Sequence, residues 1–324
     1  MINNSLVSFL SDNSITHEIG VDLKRKTWIH RGGTADFFII PSNSHELCLL
    51  LRFLYEQHID FLLVGHTSNL YILNSCSLSV VVSTKACNKY ELVDNKIYCE
   101  AGVGVIRLAN DMIDKGISGF EYLTGLPGTV GAAICNNSSC KTNSISQLLV
   151  SAEVLLPNGD VVNLSSDDFQ FHFRTSIIKE KRLRGIILSA ILMAKPSSNQ
   201  ELRILSDINA NERRLYLEGH SKNLGCTVNR CFINGKMPLR YFIPYIIYLK
   251  WLSLTKKDQA LINLFAKKFL CRLAGCKLIV PYVSSKNPII FMWLDEGADI
   301  AFPYYLDFMR KVYRTDKLEI EIIK

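Results

Sequence analysis

Long hydrophobic runs are missing from this chain. No apolar stretch reaches the roughly 18 residues that a spanning helix needs. The most apolar segment, Tyr241 to Leu254, is interrupted by Pro244 and Lys250, so no membrane insertion is expected. Close cysteine pairs are missing too. Ten cysteines are scattered along the chain, and the nearest pairs (135/140, 226/231, 271/276) are separated by four residues. Zinc sites favour tighter pairs, so no metal is expected. Met1-Ile-Asn-Asn-Ser-Leu-Val-Ser-Phe-Leu10 has no basic stretch and only a short apolar run, unlike a signal peptide. A cytoplasmic location with reduced thiols is the expectation. No glycine-rich segment ends in Gly-Lys-Ser/Thr, which excludes a Walker loop, and no GxGxxG opens a helix after a strand, which disfavours a Rossmann site. The net charge is +7, and its densest cluster, Lys179-Glu-Lys-Arg-Leu-Arg184, has no interleaved aromatics. A nucleic-acid partner is therefore not expected. An acidic or phosphorylated small molecule suits the same balance.

What is present is apolar mass. Of 324 residues, 48% are hydrophobic, enough for two or three packed domains. From about 21 to 85, short β-rich runs alternate with one amphipathic helix. Phe37-Phe-Ile-Ile40, Phe61-Leu-Leu-Val64 and Leu78 to Val82 read as strands, and a helix begins at Ser44 as N-cap and runs to about Gln57. From about 86 to 195 the rhythm repeats. Lys96 to Glu100 is a strand, Val105 to Lys115 a helix closed by Gly116, and Val150 to Leu156 a strand. The turn Pro157-Asn-Gly-Asp160 leads to a returning strand at Val161 to Leu164, and Gly185 to Met193 is a further strand. Pro196 to Gln200 reads as a polar linker. Helices are expected over Arg203 to Leu217 and Lys256 to Leu273, with a terminal Leu318-Glu-Ile-Glu-Ile322. No internal repeat or low-complexity tract is evident.

Three loops carry small residues after apolar strands: Val64-Gly-His-Thr-Ser-Asn-Leu70, Ala101-Gly-Val-Gly104 and Gly125-Leu-Pro-Gly-Thr-Val-Gly-Ala-Ala133. Glycine lets backbone N–H groups turn toward an anion and lets a bulky ligand approach closely. Thr and Ser hydroxyls add donors for a pyrophosphate. Composition and spacing lead as far as a nucleotide-like cofactor.

The segment Gly116-Ile-Ser-Gly-Phe-Glu-Tyr-Leu-Thr-Gly-Leu-Pro-Gly-Thr-Val-Gly-Ala-Ala133, followed by Asn136-Asn137, resembles the flavin-binding signature of the UDP-N-acetylenolpyruvoylglucosamine reductase (MurB) family. Lys26-Thr-Trp28 with Arg31-Gly-Gly33, Gly65-His-Thr-Ser-Asn69, Phe173-Arg-Thr-Ser176 with Lys179, Asn223-Leu-Gly-Cys-Thr227, Val283-Ser-Ser-Lys286 and Leu318-Glu-Ile-Glu321 resemble further family elements in the same order. The likeness is strong up to about residue 195 and weak over about 228 to 275. It implies an α+β chain. A two-lobed FAD-binding domain of the vanillyl-alcohol-oxidase (PCMH) type (lobes 1–85 and 86–200) would precede a smaller α+β substrate-binding domain (201–324). FAD, held noncovalently, would place its pyrophosphate at Gly65, Thr67, Ser68 and Asn69. The flavin would run along Gly125, Pro127, Gly128, Thr129 and Gly131, with Gly102 near and Asn137 a further cofactor residue.

The family reaction uses NADPH to reduce the enolpyruvyl ether of a nucleotide sugar to a lactyl ether, as a step in peptidoglycan precursor synthesis. The nicotinamide expectation rests on the resemblance alone. Arg174 matches the arginine that polarises the substrate carboxylate, since a fixed cation stabilises developing negative charge. Glu321 matches the carboxylate working with it, and Glu319 lies on the same strand face two residues away. Cys226 stands where the family has its proton-donating serine; a thiol, with a reference pKa of about 8.5, can do this work. Lys222 and Arg230 are candidate partners of the substrate's diphosphate. Departures are concentrated in the C-terminal part: Val228-Asn-Arg-Cys231 lacks the family proline, Val283-Ser-Ser-Lys-Asn-Pro288 lacks a family histidine, and Phe173 replaces a tyrosine. A paralogous flavin reductase with another enolpyruvyl sugar, or a non-catalytic flavin-binding protein, are the alternative readings.

Overall fold

The apolar alternations become strands. In a computed structural model, which describes residues 2–140, 142–219, 222–228, 237–256 and 258–324, the chain divides into two compact units. The first comprises residues 1–23, 33–67 and 77–211; the second comprises 24–32, 68–76 and 212–324.

The first unit holds two main sheets. β1 (Thr16–Asp22), β2 (Thr34–Ile40), β5 (Ser77–Ser83) and β3 (Leu62–Val64) stand in the order β1-β2-β5-β3. β1 runs antiparallel to β2, while β2 and β3 run parallel to β5. Helices α1 (Ile2–Asp12) and α2 (Ser44–Glu56) share a core with Phe37, Ile39, Val80 and Val82. On α2, Leu47, Leu50, Leu51 and Leu54 are buried at the spacing of one helix face. Its N-cap is Asn43, not the expected Ser44. The Asn43 side chain accepts from the Glu46 N–H at 2.9 Å, and Glu46 in turn accepts from the Ser42 N–H at 2.9 Å. Asparagine serves this role as well as serine.

The second sheet is antiparallel throughout. β6 (Tyr90–Val93), β7 (Lys96–Glu100), β11 (Leu149–Leu155), β12 (Val161–Ser165) and β13 (Ile186–Met193) stand in the order β12-β11-β13-β7-β6. The Pro157–Asp160 turn is a tight hairpin: Leu156 N–H donates to Asp160 O at 2.8 Å, and Gly159 takes φ +88°. Helices α3 (Val105–Asp114) and α4 (Val130–Cys135) pack Leu108, Met112, Val130 and Ile134 against this sheet with Phe120 and Phe169. Two short ribbons complete the unit, β8 (Ile117–Ser118) with β14 (Lys195–Pro196) and β9 (Ser139–Cys140) with β10 (Asn143–Ser144). The expected linker is thus partly structured: β14 pairs at Lys195, and α5 (Asn199–Tyr216) begins before Arg203.

In the second unit, β4 (Leu70–Ile72) pairs in parallel with β15 (Glu321–Ile323). An aromatic core of Tyr71, Phe291, Trp293, Phe302 and Tyr305 packs under α8 (Gly297–Tyr313). Arg31 faces Asp299 at 3.4 Å, and Asp299 accepts from Tyr71 at 2.8 Å and from Asn74 at 2.7 Å. These bonds and the burial of Ile29 and Tyr71 place the two short N-terminal segments in the C-terminal unit. Helices α6 (Leu239–Thr255) and α7 (Gln259–Leu273) pack on each other through Leu252, Ile262 and Ala266. Among the described residues, no helix is long and apolar enough to cross a membrane.

Candidate active site

The three small-residue loops converge in the first unit. Val130 N–H donates to Val103 O at 2.8 Å, Gly131 N–H to Ala101 O at 2.8 Å, and Val105 N–H to Gly128 O at 3.0 Å. These bonds join the second loop to the third. The first loop meets both: a Cβ on Gly65 would lie 2.8 Å from Thr129 Oγ1, and one on Gly104 would lie 3.1 Å from His66 Cε1. Any larger side chain at these glycines would force the loops apart. Gly102 has a different reason: a Cβ there would overlap the Thr84 carbonyl oxygen, so the chain's own backbone requires this glycine. Thr129 is 2% exposed and caps α4, accepting from Ala132 N–H at 3.4 Å.

Backbone strain marks the same residues. Thr67 at φ +56°, Asn137 at +42°, Arg174 at +58° and Lys222 at +63° are all left-handed, and all four are candidates read from the sequence. Such a conformation costs a non-glycine residue about 1–3 kcal/mol and persists where the surroundings enforce it. It is least tolerable for a β-branched residue such as Thr67.

Arg174 sits in a two-residue turn. His172 and Thr175 exchange both backbone hydrogen bonds at 3.2 Å, leaving Phe173 exposed and Arg174 half-buried. The turn is anchored from beneath. Fully buried Ser176 donates to Cys135 O at 2.6 Å, and Asn137 Nδ2 donates to His172 O at 2.8 Å. The Arg174 turn and the Asn137 end of the third loop therefore form one assembly. Tyr122 Oη, Asn136 Oδ1 and Asn137 Oδ1 are buried with no hydrogen-bond partner among the described residues. Burying such atoms unpaired is costly, so a ligand polar group is the natural partner. Burial, together with the repulsion of Lys85, holds the His66 imidazole below its usual pKa. His66 is a further residue of this site beyond the sequence candidates; its position directly after Gly65 in the first loop is the signal the sequence offers.

Most of the remaining candidates belong to the second unit. The division between units falls between Thr67 and Ser68. Asn69 Nδ2 donates to Glu319 O at 3.0 Å, and Glu321 N–H donates to Asn69 O at 2.9 Å. Gly225 turns at φ +73°, and its N–H donates to Asn223 Oδ1 at 2.9 Å. Thr227 is fixed on both sides: its N–H donates to Ile289 O at 2.8 Å, and its carbonyl accepts from Glu319 N–H at 2.9 Å. Half-buried Cys226 thus stands between a turn and a clamped strand, beside the 318–321 segment. Buried Ile320 separates the two glutamates: Glu319, in the bend before β15, is half-buried, and Glu321, which opens β15, is exposed. Lys222 donates to Leu294 O at 2.9 Å. Arg230 lies outside the described residues. Gly125 and Pro127 lie on the third loop, half-buried and exposed.

Comparison with known proteins agrees with the geometry. A family model described as an FAD binding domain matches residues 35–165. Proteins named UDP-N-acetylenolpyruvoylglucosamine reductase are similar to the chain. The Bacillus subtilis one is 29% identical over 181 residues, covering 56% of this chain and 59% of that protein. The Streptococcus thermophilus one is 28% identical over 191 residues, covering 57% and 62%. The chain thus matches about three-fifths of the length of these relatives. A solved structure, UDP-N-acetylenolpyruvylglucosamine reductase (MurB) from Thermus caldophilus, has the same fold, with a TM-score of 0.66 at 18% identity, covering 96% of this chain and 99% of that one.

Proposed function

We propose that the chain is a member of the UDP-N-acetylenolpyruvoylglucosamine reductase family, which its likeness in sequence and fold supports, and that it is an NADPH-dependent FAD reductase of the cytosol. It would reduce the enolpyruvyl ether of UDP-N-acetylglucosamine enolpyruvate to UDP-N-acetylmuramate. The observation that carries this reading is the convergence of three glycine-bearing loops beside the strained Arg174 turn. The residues present fit FAD. Gly65, Thr67, Gly128, Thr129 and Gly131 form a close-packed backbone surface, and Tyr122, Asn136 and Asn137 hold buried polar atoms in need of partners. Ser68, Asn69, Gly125 and Pro127 would complete the cofactor loops, and 1–85 and 86–200 would act as lobes followed in the chain by a substrate domain at 201–324. Bound FAD would supply the hydride-transfer chemistry that joins oxidation of the nicotinamide to reduction of the substrate's terminal vinyl carbon.

The chain's own residues would do the rest. Arg174 holds the substrate carboxylate and stabilises the negative charge that develops next to it. Cys226 gives a proton from Sγ to the adjacent carbon, completing the lactyl ether. Glu321, or Glu319 two residues before it, hydrogen-bonds the carboxylate end. Lys222 and Arg230 would take the diphosphate. One observation favours the paralogue with another sugar. Lys286 stands in the stretch that lacks the family histidine, and its ammonium is tied to Arg214 O at 3.0 Å and Leu217 O at 3.3 Å. Stopped-flow absorbance separates the readings. NADPH should bleach the flavin, and the enolpyruvyl sugar should restore it. Bleaching without restoration by that sugar points to another substrate. No bleaching points to a binding protein, and a protein that never takes up FAD refutes all of these.

A further inference from the structure

Helix α6 is apolar on both of its faces. Tyr241, Tyr245, Tyr248 and Leu252 turn inward, where Leu252 joins Ile262 and Ala266 of α7. The opposite face carries Phe242, Ile243, Ile246, Ile247, Trp251 and Leu254, each 41 to 84% exposed. A surface helix normally keeps that face polar. The residues follow the i, i+3, i+4, i+7 spacing of a second stripe, not scattered surface apolars.

The charges beside the stripe have one sign. α6 contains no Asp or Glu; its charged residues are Arg240 and Lys250, both exposed. At its N-terminal end lies an open basin of about 520 Å³ lined by Pro238, Leu239, Arg240, Arg310, Lys311 and Arg314. Among the described residues the lining holds no carboxylate. The nearby Asp307 pairs with Lys311 at 2.6 Å. The dipole of α8 accounts for cations at its own C-terminal end, but not for Arg240 converging on them from α6.

We propose that this face docks on an anionic lipid bilayer. The apolar stripe of α6 lies at the boundary between headgroups and acyl chains, and the Arg240–Arg310–Arg314 basin receives lipid phosphate. A helix with exposed apolar residues flanked by cations is the form that binds in the interface plane without spanning it. A second copy of this chain suits the face less well. A two-fold contact sets a patch against itself, and this patch offers no carboxylate of α6 to neutralise Arg240 and Lys250.

The test is co-sedimentation of the whole 324-residue chain with vesicles of phosphatidylcholine, alone or mixed in equal parts with phosphatidylglycerol. Partitioning onto the anionic vesicles should exceed the neutral ones by about tenfold or more and weaken as salt is raised. Arg240→Glu with Arg314→Glu should remove that preference. Ile247→Ser with Leu254→Ser, at exposed positions that spare the fold, should weaken binding about tenfold. Vesicles should shift tryptophan emission to the blue, and Trp251→Phe should abolish the shift. Equal binding to both vesicle types overturns the proposal, as does a variant set that binds like the parent. A lipid-free dimer that Ile247→Ser splits would assign the face to a second copy instead. Lipid-independent capture by an acidic protein, with no partitioning, would assign it to such a partner.

Discussion

Gly131 donates its N–H to the Ala101 carbonyl at 2.8 Å, and a Cβ on Gly131 would stand 2.9 Å from the Ala101 Cβ. The second and third loops are therefore locked at a separation that only glycine allows. Gly131→Val should cost about 1–3 kcal/mol of stability by overpacking and should release flavin. Ala132→Ser, exposed next door, should leave both unchanged. Thermal melts and the flavin-to-protein absorbance ratio measure the two effects. A valine variant that keeps its flavin would mean these loops do not form the cofactor surface.

Arg174 should show opposite effects on stability and activity. Its left-handed backbone costs about 1–2 kcal/mol that glycine does not pay. Arg174→Gly should therefore melt at the same temperature or higher, while the restoration of flavin colour by substrate slows about 100-fold or more. Arg174→Lys keeps the charge but not the planar fork, so it should fall between the two. A glycine variant with full turnover would remove Arg174 from the reaction.

How much of this was legible beforehand follows from what is local. The strands, the Pro157–Asp160 turn and the three loops rest on nearest neighbours in sequence, and their pattern was readable. That the loops meet could be read only from the family resemblance, because contacts such as Gly65 against Thr129 join residues far apart in the chain. Left-handed φ at Thr67 and Arg174 was hidden too, since neither residue type favours it. The membership of 24–32 and 68–76 in the second unit depends on Asp299, more than two hundred residues away, and no local periodicity announces that.

His66 gives a pH signature. Burial first, then Lys85, lowers its pKa in the folded protein. The unfolded chain therefore binds a proton that the folded chain resists, at a pH where the folded imidazole is still neutral. Its contribution to stability is fully present above the unfolded value of about 6.5. It is lost as pH falls from there through the depressed folded value. Melting temperature should drop over that window in the parent and drop less in His66→Asn. Identical slopes would mean the ring is solvated.

Asp299 holds Arg31, Tyr71 and Asn74 together within the second unit. Asp299→Ala removes the ion-pair partner of half-buried Arg31 and the acceptor of the buried Tyr71 hydroxyl, for a loss of about 1–3 kcal/mol. All three tryptophans, Trp28, Trp251 and Trp293, belong to this unit, so tryptophan emission during urea unfolding reports on it alone. The midpoint should fall in Asp299→Ala and recover partly in Asp299→Asn, which still accepts from Tyr71. An unchanged midpoint would mean that the aromatic core by itself retains the two N-terminal segments.

In the proposed function, Cys226 is the residue that would complete the reduction. Its neighbours fix its backbone: Gly225 turns before it, and Thr227 after it is bonded to both Ile289 and Glu319. A rigid seat suits a proton donor, which must meet one carbon in one geometry. Cys226→Ala should leave flavin reduction by NADPH intact and slow its reoxidation by substrate about 100-fold or more. Cys226→Ser should restore most of that rate, because the hydroxyl is the group the family uses. Two further variants separate the neighbouring acids: Glu321→Gln should slow the same half-reaction and Glu319→Gln should not. The measurements resist a purely structural explanation, since a collapsed site would slow both halves together. Reoxidation at the parental rate in Cys226→Ala would exclude the thiol as donor, and a solvent isotope effect on that step would then show whether water has taken its place.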